Sequence, residues 1–323
     1  MYDIAAIGES LIDFTPAGKS GLGQDLFSKN PGGAPANVLA MASILGLKTA
    51  FIGKVGNDAF GHFLRDTMVG AGIDCRNLVF DDERNTTLAF VTLDEKGDRS
   101  FSFYRDGAAD VNLSNDEVDL SIAENARIFH FGSVSMTHEK SRCATLEAVK
   151  CAKKSGAIIS YDPNYRPLLW KDSKKAVEVM GGALELADIV KVSDYEVELL
   201  SGREDPAFFF ERGVKLLIVT RGAKGASAYT PYRSLTLPTY DVKTVDTTGA
   251  GDAFYGAFLT TLISECHISS GKDLVALDEK QLERLLKFSN AAGSLATMGY
   301  GAIPAMPRKK EIEACIASEK LLG

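Results

Sequence analysis

Short apolar runs alternate with longer stretches of helical period along most of the chain. Runs at Tyr2–Gly8, Thr49–Val55, Ile128–Phe131, Ala157–Asp162, Ile189–Val192 and Leu216–Thr220 predict strands. Several are apolar at consecutive positions, as strands buried on both faces of a parallel sheet are. Helical spacing predicts helices over Ala36–Leu45, Ala59–Ala71, Lys140–Lys154, Ser173–Leu186, Asp252–Ser264 and Gln281–Thr297. Gly46, Gly72 and Gly156 stand just past three of them, where a helix is readily capped. Such alternation predicts an α/β fold with a mostly parallel sheet covered by helices.

Two stretches interrupt the rhythm. Thr86–Leu93 and Arg99–Arg105 read as a hairpin about Glu95–Asp98, with Phe101 and Phe103 on one face and Ser100 and Ser102 on the other. Asp13–Thr15 and Leu26–Ser28 read as a second short antiparallel excursion. A two-stranded sheet is marginal alone, so these strands must pack on a substrate, the main body or a second subunit. With no linker or repeat in view, one domain over residues 1–323 is expected, with lid strands at about 13–28 and 86–105 inserted in it.

Composition narrows the function classes. A formal charge of −7 and the lack of a long basic run argue against a nucleic-acid partner. No apolar run reaches spanning length, so no membrane partner is expected. The five cysteines form no CxxC pair and the four histidines no metal-site spacing; reduced, mostly buried thiols in a cytoplasmic protein fit best.

The most informative stretch is Asp246-Thr247-Thr248-Gly249-Ala250-Gly251-Asp252, which runs into an amphipathic helix. Free N–H groups at a helix start bind anions, and glycines let a phosphate approach. A carboxylate beside such a cradle is poorly placed to hold phosphate statically. It is well placed to take a proton from a hydroxyl attacking a phosphoryl group. The alternative is an ordinary acidic residue after a glycine turn. The segment resembles, residue for residue, the C-terminal motif of the ribokinase-like (PfkB) family of carbohydrate kinases, and the resemblance runs over nearly the whole chain. It implies a three-layer α/β/α core with a small antiparallel β lid. It also implies Asp252 as general base, an anion hole from Gly249, Ala250 and Gly251, and a homodimer through the lid sheet.

Substrate candidates lie near strand ends. Asp13, in Gly8-Glu9-Ser10-Leu11-Ile12-Asp13, follows the first strand, where ligands of open α/β sheets bind, and a carboxylate accepts two sugar hydroxyls. A solvated loop acid is the other reading. Gly32-Gly33-Ala34-Pro35-Ala36-Asn37 resembles the family's N-terminal motif, which implies sugar contacts from Gly32, Gly33 and Asn37. Arg105 ends the hairpin beside aromatics and reads either as an arm arching over a polyol or as an exposed strand-end charge. Asp162-Pro163-Asn164-Tyr165-Arg166-Pro167-Leu168-Leu169-Trp170 matches a family pattern that carries Asn164 and Arg166 to the cleft; Trp170 reads as packing.

The nucleotide needs a holder other than a Walker motif: Gly18-Lys19-Ser20 has Asp13 where the first glycine is required. Thr220-Arg221-Gly222-Ala223-Lys224-Gly225 resembles the segment that touches ATP, giving Thr220, Gly222 and Gly225; a plain strand–turn–strand hairpin also explains its glycines. Asn290 falls at the position lining the adenine pocket, or is a surface helix asparagine. In Lys191-Val192-Ser193-Asp194-Tyr195-Glu196 the family carries Asn-x-x-Glu. Ser193 replaces the asparagine, and Glu196 is implied to organise Mg2+ through water. Lys191 contacts phosphate or simply ends its strand. Asp246 and Thr248 resemble positions around a monovalent cation, K+.

The resemblance thus implies an ATP-dependent sugar kinase closest to fructokinases, acting on the primary hydroxyl of fructose to give fructose 6-phosphate. Its rivals are a 2-keto-3-deoxygluconate kinase, whose substrate carboxylate Arg166 would pair, a ribokinase or nucleoside kinase, and a sugar-sensing homologue without chemistry.

Overall fold

The computed structural model describes residues 1–93, 99–203 and 205–322, so the hairpin turn Glu95–Asp98 lies outside the described residues. The strands are β1 (Tyr2–Ile7), β2 (Leu11–Lys19), β3 (Asp25–Gly32), β4 (Thr49–Gly56), β5 (Ile73–Asp81), β6 (Leu88–Leu93), β7 (Arg99–Tyr104), β8 (Ala126–Gly132), β9 (Ile158–Asp162), β10 (Ile189–Ser193), β11 (Leu216–Thr220), β12 (Ala226–Tyr229) and β13 (Ser234–Leu237). Among the described residues, one sheet runs β13-β12-β11-β10-β9-β8-β1-β4-β5. It is parallel from β11 to β5, and β12 and β13 return antiparallel. Ala5, Ile7, Phe129, Phe131, Ile159, Tyr161 and Val190 face one packed layer, whereas Ile4, Ala6, Ile128, Ile158, Ile189 and Ile218 face the other. Consecutive apolar residues are therefore what a doubly covered sheet needs.

Helices Ala34–Ile44, Ala250–Ser264 and Glu279–Ala296 cover one face, and Glu139–Lys154 and Ser173–Ala183 the other. The helix Ala250–Ser264 is buried continuously from Ala253 to Ile263. It is a central helix rather than the amphipathic one expected, because a neighbouring helix packs on either flank. Gly256 permits one of these contacts: a Cβ there would stand 2.5 Å from the Val38 carbonyl oxygen and 2.6 Å from Met41 Cβ. The two helices that carry Asn37 and Asp252 can therefore lie close together.

The second sheet has the order β3-β2-β6-β7, antiparallel except for the β2–β6 pair. Its strands are longer than the sequence suggested on the β2–β3 side. Phe14 stacks on Phe90 with centroids 4.7 Å apart, while Phe27 and Tyr104 pack edge-on against Phe90 and stay exposed. The thiols are less hidden than composition implied: Cys143 is exposed and Cys75, Cys151, Cys266 and Cys315 are half-buried, all of them free. Among the described residues no helix is long and apolar enough to cross a membrane.

Candidate active site

Four adjacent central strands, β10, β9, β8 and β1, end on the same edge of the large sheet. A cavity of about 260 Å³ opens there, where ligands of open α/β sheets bind. Glu9 enters it after β1, Val134 after β8, Asn164 after β9 and Lys191 from β10. The small sheet roofs it with Asp13 from β2, Val91 from β6 and Phe103 from β7. Alternation along β2 thus sends Asp13 toward the cavity and Phe14 into the aromatic cluster.

Asp252 lies in the first turn of its helix. Its Oδ2 accepts a hydrogen bond from Asn37 Nδ2 at 2.8 Å, across 215 residues of sequence. Burial pushes its carboxyl up to about 6, against the pull of Lys191 and the Asn37 hydrogen bond. Asp13 is likewise pushed up to about 6 by burial, eased by Arg166 and reinforced by Asp252 and Asp246. One turn beyond Asp252, the Tyr255 hydroxyl meets Ser160 Oγ of β9 at 2.7 Å, tying the helix to the sheet.

The anion cradle follows from local backbone chemistry. Gly249 caps the helix at φ 74, and a Cβ there would press on Ala302, 2.8 Å from its Cα. Both facts demand glycine. Ala250 N–H points back to the Thr247 carbonyl at 3.3 Å. Among the described residues no hydrogen bond occupies the N–H groups of Gly249 and Gly251. Beside them stands Lys191, whose Nζ would lie 3.3 Å from a Cβ on Gly251. Its ammonium donates to Asp162 Oδ2 at 2.7 Å. Burial works against that charge, but Asp162, Asp252 and Glu196 outweigh it and hold the ammonium pKa above the ordinary lysine value.

A second cavity, of about 410 Å³, meets the first at Thr247 and Gly251. Thr220, Gly222, Gly225 and Asn290 line it. The stretch at Thr220–Gly225 is indeed a strand–turn–strand, and the turn itself forms the cavity wall. Asn290 is buried; its amide donates to the carbonyls of Leu237 and Pro238 at 3.3 and 3.0 Å, fixing the chain that leaves β13.

The remaining candidates take varied places. Asn164 holds φ 45, a left-handed conformation asparagine tolerates, and its N–H bonds Asp162 Oδ1. Arg166 stays exposed at the cavity and, among the described residues, hydrogen-bonds only its own loop carbonyls. Gly32 lies directly behind Asp13, with no space for a Cβ beside that carboxylate. Gly33 lines the cavity at φ 115. Ser193 and Glu196 form a capping box: Glu196 Oε2 accepts from Ser193 N–H and Oγ, and Oε1 from Tyr165 N–H. Asp246 Oδ1 accepts from Thr248 N–H and Oγ1, and Oδ2 from Gly301 N–H.

Arg105 departs from the expectation of an arm over a polyol. It is buried and paired with Asp110 at 2.7 Å, and it also donates to Thr137 Oγ1 and the Val134 carbonyl. The hairpin end turns inward because Asp110, five residues on, offers a buried partner. Sequence reasoning gave no role to Asp162, which organises both Lys191 and Asn164; its place at the head of the D-x-N-x-R pattern was the available signal. Glu9 was also passed over.

A glycine-framed anion cradle, a half-buried carboxylate and a roofed polar cavity together define a site for phosphoryl transfer to a small hydroxylated acceptor. The chain belongs to the pfkB family of carbohydrate kinases, which it matches over residues 1–309. It is 42% identical over 315 residues to fructokinase-2 of Solanum lycopersicum, covering 95% of this chain and 94% of that one. Among solved structures it resembles the fructokinase with bound ATP from Xylella fastidiosa, with a TM-score of 0.91, 33% identity and 99% of each chain covered. It also resembles the fructokinase of Vibrio cholerae O395 in fructose-, ADP- and calcium-bound form, with a TM-score of 0.84, 33% identity and 98% and 99% covered.

Proposed function

We propose that the protein is an ATP-dependent fructokinase that moves the γ-phosphoryl group of ATP to the primary hydroxyl of fructose. The observation that carries this reading is the Asn37–Asp252 contact at 2.8 Å, in the wall of a cavity that adjoins the Gly249–Gly251 cradle. Fructose occupies the roofed cavity, held by Asp13, Asn37, Gly33, Asn164 and Arg166. ATP occupies the larger one, with its triphosphate passing Thr247 and Gly251. Asp252 takes the proton of the acceptor hydroxyl as its oxygen bonds the γ-phosphorus. The bond to the bridging oxygen then breaks and ADP leaves. The free N–H groups of Gly249 and Gly251 and the Lys191 ammonium stabilise charge on the transferring oxygens. Roofing by the small sheet keeps water from competing as acceptor.

Mg2+ fits this site as an ion held chiefly by phosphate and water. Among the described residues no cluster of three acidic, cysteine or histidine side chains is present to hold it. Glu196, with three donors on its two oxygens, keeps one acceptor position for a water in the ion's shell. When bound, Mg2+ neutralises phosphate charge. Asp246 and Thr248 shape the turn before the cradle, where backbone carbonyls would hold K+. We further propose a homodimer through the aromatic face of the small sheet, supported by exposed Phe27 and Tyr104. A cytoplasmic location is supported by five free thiols and by ATP as substrate.

ADP release coupled to fructose, compared with 2-keto-3-deoxygluconate, ribose and a nucleoside, tests the assignment. Fructose should show the highest kcat/KM. Preference for the keto acid would reassign Arg166 as a carboxylate clamp, and no sugar-dependent ADP release would remove the kinase reading. Light scattering that gives a monomer at working concentration would remove the dimer.

A further inference from the structure

Glu9 sits just past β1 on the wall of the sugar cavity, only 4% exposed. Its Oε1 accepts the Ala34 N–H at 3.0 Å, at the start of the helix that carries Asn37. Its Oε2 is buried and, among the described residues, has no hydrogen-bond partner. Leaving such an oxygen unmatched costs about 1–3 kcal/mol, more when charged, so it calls for a ligand. Asn37 Oδ1, on the same wall, is orphaned too, because the other end of its amide is committed to Asp252.

The surrounding groups show which kind of partner is missing. Asp13, Asp252 and Asn37 Oδ1 present acceptors to the cavity. Its donors are Lys191, set beside Gly251 and already shared with Asp162, the Gly249 and Gly251 N–H groups of the cradle, Asn164, and Arg166 at the exposed rim. Sugar hydroxyls that donate to those acceptors still carry lone pairs on their own oxygens, and these need donors. We propose that Glu9 is a further sugar-binding residue, whose Oε2 hydroxyl donates a hydrogen bond to an oxygen of the bound sugar while Oε1 holds the Ala34 turn in place. The inference rests on the sugar-kinase reading above. Burial pushes the Glu9 carboxyl up to about 7, against the hydrogen bonds it accepts and the nearby Arg105 charge, with Asp110 adding to the rise. A proton is therefore available on it near neutral pH. Asp13, Asp252, Lys191 and Arg166 line the same cavity.

Steady-state kinetics of the full chain with fructose and ATP, for wild type, Glu9→Ala and Glu9→Gln, test the assignment. Wild-type turnover of fructose is the control, and its absence would sink the kinase reading rather than the role of Glu9. Glu9→Ala should raise KM for fructose by about tenfold to a hundredfold, the effect of a lost buried hydrogen bond. KM for ATP should stay within twofold. Glu9→Gln keeps an acceptor for Ala34 and places a permanent N–H donor on the cavity side. Its KM for fructose should stay within threefold of wild type at pH 6.5. Between pH 6.5 and 8.5 that of wild type should climb as Glu9 loses its proton, and that of the glutamine variant should stay flat. Equal pH slopes in the two proteins, or parallel rises in KM for fructose and ATP, would reduce Glu9 to a prop for the turn and overturn the proposal. Should Glu9→Ala fail to fold, the isosteric glutamine variant alone decides through its pH slope.

Discussion

The cavity proposed for the sugar and the one proposed for the nucleotide touch at Thr247 and Gly251, yet they are built from different materials. The first is walled by ionisable groups: Glu9, Asp13, Asp252, Lys191 and Arg166. The second, among the described residues, has no acidic or basic side chain on its wall; Thr220, Gly222, Ala226, Phe254 and Gly293 are typical of it. A small polyol offers little area, so it must be fixed by directional hydrogen bonds from side chains whose ionisation is tuned by burial. A nucleotide offers a broad flat base and a ribose, which shape and backbone groups can hold. In the proposed mechanism the chemistry falls to the acidic side and the grip to the neutral one.

This contrast predicts that damage on the two sides has different signatures. The largest effect belongs to Asp252→Asn, which should lower kcat by on the order of 10²–10⁴ while ATP and fructose still bind, as calorimetry would show. Near-normal turnover would remove Asp252 as base. Next comes Gly249→Ala, at the border of the two cavities. Its positive φ and the Ala302 collision should cost about 1–3 kcal/mol of stability and lower kcat more than either KM. An unchanged melting temperature and kcat would show that the cradle tolerates a Cβ.

The pH dependence should divide the two sides. With Asp252 and Asp13 raised to about 6, kcat/KM for fructose should fall as pH drops below that value. Stability runs the other way. A carboxyl whose folded pKa exceeds its unfolded one favours the fold at low pH and loses that contribution as pH rises through about 6. Asp252→Asn should therefore melt higher than wild type at pH 7.5, by on the order of a few degrees, and should show no gain near pH 4. The smallest effect is expected from Asn290→Ala, which frees the chain after β13. It should raise KM for ATP by roughly threefold to tenfold, the worth of one or two hydrogen bonds, and leave KM for fructose alone. A sugar defect of equal size would mean that the two cavities are not functionally separate.

The same contrast governs what the chain discloses before it is folded. Central strands were legible because burial on both faces writes itself as consecutive apolar residues, and their ends fell within about two residues of those observed. β5 was missed because it is an edge strand, whose Asp74, Arg76 and Asn77 give it a polar look. The short helix Asp194–Ser201 was missed because it is rich in acids. At the candidate site the glycine–acid pattern stood out, and the fold brings its Gly249, Gly251, Asp252, Gly33 and Asn37 to one cavity. Arg105 did not disclose its place, because an arginine's composition says nothing of a buried partner, and only the fold shows that Asp110 claims it. Gly256 gave no signal either, since its role depends on what packs opposite.

The doorway at Thr247 and Gly251 has a pharmacological corollary. A single compound bearing a ketohexose at one end and a nucleoside at the other, joined by a phosphate chain of suitable length, could occupy both rooms at once. Its second anchorage would be intramolecular, so such a tethered inhibitor should bind far more tightly than either half alone.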